Sequence, residues 1–183
     1  MSAGNRTVPR AAAGFTLVEM LISLTLVLLL TLALLTSYVF ILRGEKSLVN
    51  YGEMNAQARK MLDTLGDDLR MARTVTNFTS TSLSLKLPTS VSDATATQTV
   101  TWDYVSATGI VTRTVGTTVT TLAKDVNSFS FYYTNNSNAV TTSLVEVKQV
   151  QLAMRMQRLV ASAVTSEYVI SAQFTMRSKK TSV

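Results

Sequence analysis

Cysteine and histidine are both absent from this chain of 183 residues. Their absence excludes a disulfide framework, a Cys or His metal site, and any Ser-His or Cys-His nucleophile pair. It leaves the redox compartment open. Charge is also sparse: charged residues make up 15% of the chain against 46% hydrophobic, which is apolar for a soluble protein. No glycine-rich phosphate loop and no calcium-loop spacing of oxygen ligands occurs. The 11 acidic residues are scattered. The one adjacent pair, Asp67-Asp68, occupies consecutive positions that do not face each other on a helix. Asp103 and Asp125 stand in turn-like contexts, where such residues cap turns or face solvent. The sequence therefore offers no catalytic set, no cofactor site and no metal site, and the chain is expected not to be an enzyme.

The net charge is +6. Two of the basic residues, Arg6 and Arg10, precede Gly14. Elsewhere no Lys/Arg cluster forms a stripe, so nucleic acid is not an expected partner.

What the chain does have is one concentrated apolar run. From Met20 to Leu42 there is no charge, no proline and no glycine. At 1.5 Å per residue a helix over this run is about 35 Å long, enough to cross a bilayer core with some tilt. Glu19 is the only charged side chain between Phe15 and Leu42. A carboxylate at the head of a membrane-length helix is costly and calls for a partner. Arg6 and Arg10 favour a cytoplasmic N-terminus, while Arg43 and Lys46 place similar charge on the other flank. A secretory signal peptide would carry its small-residue cleavage site after a shorter apolar core. Here Ala11-Ala12-Ala13-Gly14 comes before the run. An ordinary signal anchor would account for the length but not for Glu19.

Gly14-Phe15-Thr16-Leu17-Val18-Glu19 resembles the cleavage and methylation motif of type IV pilins and type II secretion pseudopilins. Three alanines separate Arg10 from Gly14, where family leaders often carry Lys or Arg closer to the glycine. The resemblance implies that Gly14 ends a leader, that a membrane aspartic peptidase cuts before Phe15, and that Phe15 becomes an N-methylated terminus. It also implies that Glu19 is the motif glutamate that serves assembly. The physics agrees. Cleavage leaves a cationic amine on Phe15, and Glu19 lies one helical turn away, within reach of that amine or of a neighbouring helix's. Opposite charges attract far more strongly in an apolar bundle than in water.

Beyond the run, Tyr51, Met54, Ala58, Met61, Leu62, Leu65 and Leu69 recur at three- and four-residue spacing, one apolar helical face. Such a face predicts packing on the protein's own sheet. Gly44, Gly52 and Gly66 each weaken a helix by about 1 kcal/mol relative to alanine, and Gly44 is placed to mark a bend. Near Thr74, Thr, Ser and Val take over. Alternation around Leu83–Leu87, Val100–Tyr104, Phe129–Tyr133 and Tyr168–Met176 predicts half-buried strands. Between Val145 and Met156 the apolar phase slips, which predicts a bulge near Gln149. Turns are expected at Pro88 to Ala94, Ala107-Thr108-Gly109, and Thr134 to Ala139.

The expected fold is α+β: a long N-terminal helix packed on an antiparallel sheet. Residues 1–14 read as leader, 15–43 as transmembrane helix, 44–74 as its amphipathic continuation and 75–183 as the β head. The Trp102/Tyr104, Gly109/Arg113, Phe129–Tyr133 and Tyr168–Arg177 pieces loosely resemble minor pilins of the W type and pseudopilins of the J type. By resemblance the partners are other pilin or pseudopilin subunits, the prepilin peptidase, an inner-membrane assembly platform and, before assembly, membrane lipid. The implied place is the bacterial inner membrane, with the head outside the cytoplasm, and then a filament. The competing readings are a major pilin and a single-pass anchored binding protein.

Overall fold

A computed structural model describes residues 14–89, 96–161, 164–177 and 179. Helix α1 (Leu17–Met71) is followed by eight strands. These are β1 (Thr74–Phe78), β2 (Ser82–Pro88), β3 (Thr97–Val105), β4 (Ile110–Val115), β5 (Thr118–Ala123), β6 (Val126–Thr134), β7 (Gln149–Ala161) and β8 (Val164–Thr175). The chain divides into two compact units, residues 1–43 and 44–183.

The described part of the first unit is helix from Leu17 onward, and its large apolar side chains are exposed throughout, Phe15 at 80%. By length and composition α1 can cross a membrane. The expected leader lies outside the described residues except for Gly14.

In the second unit α1 continues without interruption through Gly44, Gly52 and Gly66. It ends where the β-branched run Thr74-Val75-Thr76 begins, residues that pack better on a pleated surface than in a helix. Its buried stripe is Asn50, Met54, Ala58, Met61, Leu65, Gly66, Asp68 and Leu69. Tyr51, expected on this face, is exposed, and Leu62 is half-buried. The face instead begins at Asn50, whose amide reaches the Leu159 carbonyl, and it takes in Asp68.

All strand pairs are antiparallel, in two sheets rather than the single one expected. One runs β1-β2-β3-β4-β5, and the other runs β6-β7-β8. Strands β1, β4 and β5 were not predicted. Their residues, TVTNF, IVTRTV and TVTTLA, are threonine-rich and lack apolar alternation. The Asp125 residue between β5 and β6 has φ 60°, and the chain there leaves one sheet for the other. The sheets are tied by the Val126 amide on the Gly109 carbonyl at 3.0 Å and the Phe131 amide on the Ser80 carbonyl at 2.7 Å. The single Tyr133 hydroxyl hydrogen is shared between the Thr79 carbonyl at 2.8 Å and the Ser82 carbonyl at 3.2 Å, and burial pushes its phenol up, so it stays a donor. Helix and both sheets share one core, with Leu65, Leu85, Trp102, Leu152 and Met156 fully enclosed.

The bulge expected near Gln149 is absent. Residues 144–146 form a turn, and β7 starts at Gln149 in regular register with Thr134. The phase of Val145 and Val147 differs because they precede the strand. The Ala107–Gly109 turn forms, with Gly109 at φ 63°. In the Thr134–Ala139 turn, the Asn135 carboxamide oxygen accepts the amides of Ser137 and Ala139. Of the Pro88–Ala94 turn, residues 90–94 lie outside the described residues.

Candidate functional site at the start of the apolar helix

Helix α1 starts with a threonine followed three residues later by a glutamate, and the pair bonds reciprocally. The Glu19 carboxylate accepts the Thr16 amide at 2.8 Å and the Thr16 hydroxyl at 3.0 Å. The Glu19 amide in turn donates to Thr16 Oγ1 at 3.3 Å. This is a capping box: two amides at the helix start, with no carbonyl partner in their own helix, are each satisfied by a side chain. The carboxylate also sits where the helix dipole is positive. Both Thr16 bonds fall on Oε2, and Oε1 accepts none among the described residues.

Gly14, Phe15 and Thr16 precede the helix without regular structure, and all three are exposed. Nothing lies within 4 Å of where a Cβ on Gly14 would stand. The Gly14–Phe15 bond is thus accessible, one residue from the amide that Glu19 holds.

Further along, every serine and threonine of the apolar run turns its hydroxyl onto its own helix. Ser23 donates to the Glu19 carbonyl at 2.7 Å, Thr25 to Ile22 at 2.8 Å and Thr31 to Val27 at 2.7 Å. Thr36 and Ser37 both donate to the Ala33 carbonyl. Such back-bonding leaves these hydroxyls needing no water, the condition that a hydrocarbon environment imposes.

Residues 9–35 match a family model described as the prokaryotic N-terminal methylation motif. The chain carries the type IV pilin and pseudopilin signature. The matched residues include Gly14, the capping box and the apolar run as far as Leu35. No curated protein matches the chain in sequence.

The structure thus brings Phe15, Thr16 and Glu19 together at one helix start. Sequence reasoning singled out Gly14, Phe15 and Glu19 but overlooked Thr16 and the five back-bonded hydroxyls. A Thr-x-x-Glu spacing before an apolar run is the signal that would have found the cap. In the β head, among the described residues, no group of acidic side chains is arranged to hold a metal. Asp125 instead accepts from Arg158 at 2.5 Å, and Glu53 pairs with the same guanidinium. Those two carboxylates hold Arg158 firmly protonated.

Proposed function

We propose that this chain is a structural subunit of a pilin-like filament, made as a membrane-anchored precursor and cleaved between Gly14 and Phe15. The observation that carries the reading is the capping Glu19 carboxylate, bonded to the amide of Thr16, the residue after Phe15, at the head of a helix with no other charge before Arg43. Cleavage creates an ammonium on Phe15, N-methylated but still cationic. The capping box pre-positions the carboxylate at that end, with Oε1 free to take the amine of an adjoining helix. In lipid, a carboxylate without a cation is penalised. In a stack of like helices each Glu19 meets an amine in a low dielectric. The difference drives the subunit from bilayer to filament.

In this reading the chain is a minor pilin or pseudopilin rather than the repeating shaft subunit. The loose likeness of the β head to W-type and J-type subunits supports that choice. Its partners are other pilin-like subunits, the processing peptidase and an inner-membrane platform.

Mass spectrometry of the mature protein tests the proposal. The expected mass is that of a chain beginning at methylated Phe15. An intact Met1, or a cut beyond Leu42, overturns it. Co-purification stoichiometry against the other subunits then separates a minor subunit from a major one.

A further inference from the structure

Lys179, beyond the end of β8, is buried, with 4% of its surface exposed. No carboxylate meets its ammonium among the described residues. Instead Nζ donates to three main-chain carbonyls of one short stretch: Leu144, Val145 at 3.0 Å and Val147 at 2.8 Å. The contact is returned from the other side. Lys148 Nζ donates to the Lys179 carbonyl at 2.9 Å, and the Met176 amide donates to the Lys148 carbonyl at 2.9 Å. Met176 is itself fully buried.

A primary ammonium has three N–H donors and no acceptor, so three carbonyls satisfy it completely. A buried cation is tolerated only when its hydrogen bonds are filled. The converse holds for the connection between β6 and β7. Three carbonyl dipoles of residues 144–147 converge on one point, and they repel one another unless a positive charge lies between them. The stretch has other anchors: Val147 is buried in the core, and the Glu146 and Val147 amides both reach the Ser143 carbonyl at 3.2 Å. Thr141 bonds the Glu146 carboxylate at 2.8 Å, and the Thr141 and Lys148 amides reach β6 carbonyls.

We propose that the carbonyls of Leu144, Val145 and Val147 form a primary-ammonium site, and that Lys179 fills it as a built-in cation that latches itself, and through Lys148 and Met176 the end of β8, onto the 141–148 connection. Burial, and secondarily the nearby Lys148, lower the amine's proton affinity, as fits a cation held by dipoles alone. The latch has a surface consequence. Leu144 and Val145, both exposed, are carried on this connection, and the seated ammonium fixes the main chain from which they project.

Hydrogen exchange on the full-length chain in detergent micelles, read on peptides covering 141–148, tests this. Lys179→Met should speed exchange there by about tenfold or more, leaving β2 to β5 unchanged. Lys179→Ala should do the same, and millimolar propylammonium, which replaces the deleted arm, should restore protection. Tetramethylammonium, which has no N–H, should not. Wild-type protection of 141–148 in Lys179→Met overturns the proposal. So does a Lys179→Ala chain on which propylammonium and tetramethylammonium act alike.

Discussion

Asp68 and Arg113 meet through two parallel hydrogen bonds, guanidinium Nε on Oδ2 at 2.7 Å and Nη2 on Oδ1 at 2.8 Å. Asp68 is almost wholly buried near the end of α1, and Arg113 rises from the middle of β4. Trp102 of β3 adds its indole N–H to Oδ2 at 2.8 Å. Every buried lone pair that the carboxylate needs to satisfy thus finds a donor, and the pair with Asp68 keeps Arg113 firmly protonated. Helix and five-stranded sheet are joined here by polar bonds that have one geometry, whereas the surrounding apolar contacts tolerate sliding.

Asp68→Asn removes the charge at nearly constant volume and leaves Arg113 half-stranded. It should destabilise the β head by about 2–4 kcal/mol. Arg113→Lys keeps the charge but loses the fork, and should cost about 1–2 kcal/mol. Urea unfolding monitored by Trp102 fluorescence measures both. Equal, negligible losses would mean that the pair contributes nothing net.

Gly109→Ala should be destabilising by about 1–3 kcal/mol. The residue sits at φ 63°, and an added Cβ would stand 2.9 Å from the Val126 carbonyl oxygen, which is main chain and cannot swing aside. Gly66→Ala should cost less. Its nearest obstacle is the edge of the Phe174 ring at 3.0 Å, which can turn. Comparing the two midpoints checks the ranking.

Glu19→Gln and Thr16→Val separate the two roles of the helix start. Glutamine retains capping capacity but has no charge. Valine removes the hydroxyl half of the cap, keeps the residue-16 amide on Glu19, and leaves the charge. If ion pairing drives assembly, Glu19→Gln should insert in the membrane normally and be depleted several-fold from sheared filaments, with Thr16→Val much less affected. Filament fractions probed by immunoblot give the answer, and normal incorporation of Glu19→Gln would defeat the mechanism.

Arg158→Ala should be milder than any change at Asp68, about 1 kcal/mol. Its partners Asp125 and Glu53 have side chains 42% and 56% exposed, so water replaces much of what is lost. Thermal melting of the variant beside Asp68→Asn tests the order.

The strands around Leu85, Trp102, Phe131 and Phe174 were legible because each alternates large apolar with polar residues, the signature of a half-buried face. The threonine-rich strands β1, β4 and β5 were not. β1 and β5 are edge strands, β4 buries only Val111 outright, and all three owe their extension mostly to pairing with neighbours. Asp68 misled for a related reason. It stands outside the apolar stripe read from the sequence, and it becomes interior only because a guanidinium 45 residues away comes to meet it.

By itself, then, the sequence determined the membrane-length helix, the single carboxylate at its head and the N-terminal methylation motif. These depend on contiguous residues, whose chemistry is complete before any folding. Only the tertiary structure decided the split into two sheets, the burial of Asp68 and the seating of Lys179 in a ring of carbonyls. Each of these is an agreement between distant segments: a charge or dipole is affordable inside only once its partner has been brought there, and no local pattern encodes that meeting.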